Sequence, residues 1–189
     1  NTFCSLSSDY SKDFQKMIES LNFLEKELDT MDEESFLNQK LRQNPNEIVF
    51  EGEVASLLYQ SARLSQWLEG AFDVTVAPLV HLWKIGNGAV EPSSDQSLLE
   101  ALKKVGMHKT FWTGDEDRFF WKRETGFSLD FGAIAKGYAG DLLIERYLDE
   151  KKRSYLLVNI GGNISAFGKH PKRREWRIGI QDPNETRGN

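Results

Sequence analysis

The change of apolar period at Gly106 constrains the fold of this chain more than any other feature of its sequence. Before it, apolar residues recur at helical spacing. Phe14, Met17, Ile18, Leu21, Leu24 and Leu28 trace a helix that Ser11 is placed to cap. Val54, Leu57, Leu58, Ser61, Leu64 or Ser65, and Leu68 trace a second, which Gly70 can end in the left-handed conformation. Pro92-Ser93-Ser94-Asp95 opens a third, carrying Leu98, Leu99, Leu102 and Val105, and Gly106 is its stop. Beyond Gly106 the pattern shortens: residues 119–121 and 127–131 read as strands about a Glu124-Thr125-Gly126 turn, and residues 134–147 as a helix. Residues 154–160, 163–167 and 176–180 read as three more strands, whose closeness in sequence predicts antiparallel hairpins. Residues 29–47 read as a polar connection with a turn at Asn44-Pro45-Asn46. No repeat or linker divides the chain, so one α+β domain over residues 1–189 is expected, an antiparallel sheet packed by helices.

Composition narrows the function. Hydrophobic residues at 39% and charged residues at 28%, spread along the chain, fit a globular protein with a core. A net charge of -5, from 29 acidic against 24 basic residues, argues against a nucleic-acid partner. The one basic run, Lys169, Lys172, Arg173 and Arg174 around Pro171, is either a solvated turn or a local partner site. Cys4 is the only cysteine, which excludes an internal disulfide and a cysteine zinc cluster. His81, His108 and His170 lack metal-ligand spacing. No apolar run approaches membrane-spanning length, and Asn1-Thr2-Phe3 before Cys4 is unlike a lipoprotein signal.

Three segments have the makings of a site. In Leu129-Asp130-Phe131-Gly132-Ala133-Ile134-Ala135-Lys136-Gly137-Tyr138, a strand ends in an acid and passes through small residues into a helix. Free N–H groups at the helix start and the Lys136 ammonium would attract phosphate, and Asp130 or a loop carbonyl would hold a hard cation against it; the alternative is a turn kept small for packing. Asp130-Phe131-Gly132 also spells the magnesium triplet of protein kinases, but His-Arg-Asp and an upstream glycine-rich loop are absent. Lys136 is followed by Gly137, so there is no P-loop either. The second segment, Gly70-Ala71-Phe72-Asp73-Val74-Thr75-Val76-Ala77-Pro78-Leu79, is either an extended pocket lining or a buried connector whose Asp73 caps the next turn. In the third, Gly161 and Gly162 either admit a ligand closely or make a tight hairpin.

Taken in order, these segments resemble the ApbE family of flavin transferases. Members read much like Gly-Ala-Phe-Asp-x-Thr-Val-x-Pro-Leu-Val-x-Leu-Trp, Leu-Asp-x-Gly-x-Ile-Ala-Lys-Gly-Tyr, Val-Asn-x-Gly-Gly and Trp-x-x-Gly-Ile-x-Asp-Pro. The matching residues here are 70–83, 129–138, 158–162 and 176–183. The resemblance implies an α+β fold with FAD in a cleft and a magnesium ion against its pyrophosphate. By motif position it implies that Ala71, Phe72, Asp73, Asp130 and Lys136 contact FAD, with Gly161 and Gly162 lining the same cleft, and that the Ala133 carbonyl binds the metal. Thr2 falls in what resembles the family's Met-Gly-Thr start, which also touches the nucleotide. The implied reaction is attack by a threonine or serine hydroxyl of an acceptor flavoprotein on the FMN-side phosphorus of FAD, with release of AMP and with Asp130 and Lys136 assisting. FAD hydrolysis to FMN and AMP, or flavin binding without catalysis, are the alternatives.

Two departures accompany the match. Met31 stands where the family often has a tyrosine that contacts FAD. Members also continue past the Asp-Pro strand, with a His-x-Ile-Asp-Pro-x-Thr-Gly segment and further metal ligands, so truncation at the C-terminus is expected. The resemblance favours an extracytoplasmic, membrane-associated setting, with membrane contact only through an anchor outside this chain.

Overall fold

The computed structural model describes residues 3–30, 32–85, 88, 90–92, 94–148, 154–172 and 175–184. Helices and two small antiparallel sheets make up the described elements, which is the α+β class expected. The chain divides into two compact units, Asn1–Ile18 with Ala139–Asn189, and Glu19–Tyr138. The divisions fall within helices α1 (Phe14–Leu28) and α6 (Ala135–Tyr147).

The larger unit, Glu19–Tyr138, is built on a sheet of order β2-β4-β3, from β2 (Glu47–Glu51), β3 (Phe111–Gly114) and β4 (Arg118–Lys122). Alternation puts Ile48, Phe50, Phe119 and Trp121 on one buried face, with Phe50 paired to Phe119 and Ile48 to Trp121. Helix α3 (Gly52–Trp67) turns Val54, Ala55, Leu57, Leu58 and Ala62 into the same core, which also takes Val74, Phe127, Leu129 and Phe131. Fully burying aliphatic or aromatic side chains of this kind contributes about 1.5–3 kcal/mol each.

Two expectations need correction in this unit. The stretch 29–47 is not a plain connection, because it holds helix α2 (Phe36–Gln43) and ends on the first residue of β2. Ser35 accepts the Asn38 N–H at the start of α2, and Leu37 and Leu41, one turn apart, are its only buried pair, too sparse a stripe to stand out from polar neighbours. Arg123 clamps the far end of α2: its guanidinium donates to the carbonyls of Leu41 and Pro45 and lies 4.9 Å from the Trp121 ring. Burial lowers its pKa. Residues 127–131 alternate in burial but form no strand, since alternation reports one buried face and not a ladder partner. Strand β3 is an addition to the elements expected; its Phe111 is 58% exposed, so its apolar pattern signals no burial.

In the smaller unit the sheet order is β1-β5-β6, from β1 (Cys4–Ser8), β5 (Tyr155–Ile160) and β6 (Asn163–Gly168). Central β5 buries Leu156, Val158 and Ile160 on one face. The expected strand at 176–180 is absent: Ile180 is 97% exposed, and the segment is tied through Trp176, whose Nε1 donates to Gly168 O at 2.9 Å and whose ring meets those of Tyr155 and His170. The Asp9 carboxylate accepts the N–H and hydroxyl of Ser154, which hold its pKa below the ordinary value.

Candidate functional site

Two of the three candidate segments, residues 70–79 and 129–138, lie in the unit Glu19–Tyr138. The first begins where α3 stops. Glu69, with φ 52°, enters the left-handed region one residue before Gly70, with φ 84°, so the reversal does not rest on glycine alone. Gly70 N–H donates to Ser65 O at 2.8 Å and Ala71 N–H to Leu68 O at 2.9 Å. The chain emerges with Ala71 exposed and Phe72 packed in part against the core.

Asp73 then caps a short 3₁₀ turn, Val74–Val76, which leads into helix α4 (Ala77–Leu82). The capping alternative is thus realised. Oδ1 of Asp73 accepts the Thr75 N–H at 2.8 Å and the Thr75 hydroxyl at 2.6 Å, while Oδ2 accepts the Met107 N–H at 2.6 Å. Thr75 Oγ1 in turn accepts the Gly106 N–H at 2.7 Å. Thr75 is fully buried. The Gly106-Met107 turn follows helix α5 (Asp95–Lys103) and opens the second 3₁₀ turn, Met107–Lys109.

The second segment is joined to the first by its backbone: Asp130 N–H donates to Val74 O at 2.7 Å. Asp130 is half-buried. Its Oδ1 accepts the Gly132 N–H at 2.8 Å, and among the described residues its Oδ2 has only a long 3.5 Å contact from the Thr30 hydroxyl. A Cβ on Gly132 would stand 3.0 Å from Asp130 Oδ1, so this tight turn favours glycine. Ile134 and Ala135 both donate to Phe131 O, at 2.9 and 2.8 Å. The expected row of free amides is therefore shorter than the sequence suggests, because a tight turn before α6 uses three of them. Ala133 is exposed. Lys136 is half-buried and enters no ion pair among the described residues, so its charge is available to an anion.

The other predicted site residues are placed differently. Gly161 and Gly162 belong to the smaller unit and make the two-residue turn between β5 and β6, with φ 59° and 92°. Their amides donate to Phe3 O and Asn159 Oδ1. Thr2 and Met31 lie outside the described residues. A cleft of about 440 Å³ opens at the Gly70 end of the first segment, lined in part by Ser65, Gln66, Glu69, His108 and Trp112, and touches none of Asp73, Asp130 or Lys136. Among the described residues no group of three or more His, Cys, Asp or Glu side chains makes a metal site. One Ala133 carbonyl and one partly engaged Asp130 carboxylate do not complete the coordination of a divalent cation. Thr75, Gly106 and Met107 received no site role from the sequence, although an Asp with a Thr two positions on is a local capping signal.

Comparison with known proteins bears on this arrangement. A family model described as the ApbE family matches residues 1–189. The chain is 34% identical over 156 residues to an FAD:protein FMN transferase of Haemophilus influenzae, covering 80% of this chain and 44% of that protein. It is 31% identical over 137 residues to an Escherichia coli K12 protein of the same name, covering 70% and 38%. The crystal structure of Pseudomonas stutzeri flavinyl transferase ApbE, apo form, superposes with a TM-score of 0.73 at 27% identity, covering 95% of this chain and 62% of that one. The ApbE protein of Thermotoga maritima gives 0.80 at 24% identity, covering 98% and 64%, and supports the fold alone. The chain therefore spans less than half of these transferase sequences and under two thirds of these solved chains.

Proposed function

The chain belongs to the ApbE family, and from that premise we propose that its protein is a magnesium-dependent transferase moving the FMN half of FAD onto a threonine or serine hydroxyl of an acceptor flavoprotein. The observation that carries this reading is the 2.7 Å hydrogen bond from Asp130 N–H to Val74 O. It holds the Ala71-Phe72 loop in one frame with the Asp130 to Lys136 turn, which supports reading the two segments as parts of one nucleotide site.

In the proposed reaction the acceptor hydroxyl oxygen bonds to the FMN-side phosphorus, the bond from that phosphorus to the bridging oxygen breaks, and AMP leaves with that oxygen; the hydroxyl proton passes to a base. Lys136 stabilises charge that builds on the phosphoryl oxygens, a role suited to an ammonium without a carboxylate partner among the described residues. Exposed Ala71 lets the nucleotide approach the backbone. Magnesium, when bound, would neutralise pyrophosphate charge, and Ala133 would supply one carbonyl toward it; the remaining ligands are not among the described residues.

The test is to mix the full-length protein with FAD, magnesium and an acceptor domain bearing a Thr/Ser motif, then follow AMP release and covalent flavin fluorescence on a denaturing gel. Stoichiometric AMP and labelled acceptor are expected. AMP without a labelled acceptor would make the protein an FAD hydrolase, and neither product would remove the catalytic reading.

A further inference from the structure

The residues that hold the first segment in place lie partly outside every recognised motif. Thr75 Oγ1 donates to Asp73 Oδ1 at 2.6 Å and accepts the Gly106 N–H at 2.7 Å, so a single hydroxyl joins the acid to the turn after α5. Asp73 Oδ2 completes the loop through Met107 N–H at 2.6 Å. Between Asp73 and Thr75 stands the Val74 carbonyl, which is also the acceptor for Asp130 N–H. Thus one closed ring of hydrogen bonds sets the height of Val74, and with it the register between the two candidate binding segments. Gly106 has φ 130°, and a Cβ there would meet His108 Cε1 at 2.8 Å, so the turn that offers its N–H to Thr75 depends on glycine.

Resting on the flavin reading above, we propose that Thr75 is a positioning residue for FAD, acting through the Gly106-Met107 turn and the Val74 carbonyl without touching the nucleotide. Its buried hydroxyl stands in a site that excludes water, so a lost hydrogen bond there is not replaced by solvent. Removing it leaves Gly106 N–H without its acceptor and frees Asp73 from one of three donors. The loop carrying Ala71 and Phe72 then loses its fixed relation to Asp130.

Thr75→Val keeps the volume and deletes the hydroxyl, whereas Thr75→Ser keeps the hydroxyl. In the full-length protein, at a temperature where circular dichroism shows each variant folded, calorimetry with FAD is expected to give about tenfold weaker binding for the valine variant. The serine variant should return to within about twofold of wild type. Amide exchange at Gly106 and Met107 should quicken in the valine variant. If valine prevents folding, Thr75→Cys takes its place with the same expectation. A folded valine or cysteine variant that binds FAD as wild type does, or a serine variant that fails to recover binding, overturns the proposal: Thr75 would then serve stability only. Wild-type protein giving no heat with FAD is a different failure, since it removes the flavin reading itself and the proposal with it.

Discussion

Asp73 and Asp130 sit on two segments joined by one hydrogen bond, yet their carboxylates are used in opposite ways. Asp73 accepts three donors at 2.6 to 2.8 Å, from Thr75 and Met107. Among the described residues Asp130 accepts one strong bond, from Gly132, and leaves Oδ2 with a single contact at 3.5 Å. An acid in a motif is therefore not automatically an acid available to a ligand: Asp73 has spent most of its accepting capacity on the fold, while Asp130 keeps an oxygen in reserve. Lys136, without an ion-pair partner among the described residues, belongs with Asp130.

The largest expected effect is on stability at Asp73. Asp73→Ala leaves two backbone N–H groups and the buried Thr75 hydroxyl without their acceptor, at a cost of about 3 kcal/mol. For a chain of this size that corresponds to a fall in melting temperature of roughly 6 to 12 °C. An unchanged melting temperature would break the contrast at its structural end.

A smaller effect, on binding and not on folding, is expected at the other segment. Lys136→Met and Asp130→Asn should each weaken FAD binding about tenfold, while melting temperatures stay within about 2 °C of wild type. Calorimetry and thermal denaturation on the same samples separate the two quantities. If both variants bind FAD normally, the phosphate does not sit at this turn, and Asp130 is as structural as Asp73.

The smallest effect concerns a third acid, Asp9, which is structural but exposed. Its Ser154 partners depress its folded pKa, so its contribution to stability is present above the ordinary carboxylate value and is lost as pH falls through the depressed one. Asp9→Asn should therefore lose less stability than wild type on acidification below about pH 4. Denaturant midpoints across that range measure the difference. A slope equal to wild type's would show that donors matter at Asp73 only because they are sheltered there.

Much of this was legible in the sequence. The α3 and α5 stripes, the β5–β6 hairpin and the start of α6 follow from local period and turn chemistry, which neighbouring residues decide among themselves. The two site segments were also visible, because small residues beside an acid and a lysine are a compositional signal. What local pattern could not show was pairing. Residues 127–131 and 176–180 have strand-like alternation, but whether a strand forms depends on a partner edge that no local window contains. Helix α2 reverses the case: its two buried leucines form a weak stripe, and it is held by Ser35 and by Arg123, which lies 80 or so positions away in the chain.

The sequence by itself determined the family, the α+β class and which short segments carry the candidate chemistry, since these depend on residue types in order. Only the tertiary structure decided how the two acids divide their roles. That division depends on Met107 N–H and Gly106 N–H reaching Asp73 and Thr75 across 34 and 31 positions of chain, and on Asp130 meeting Val74. Hydrogen bonds of that span exist only once the core has brought the segments together, and a carboxylate's free capacity is known only after its donors have been placed.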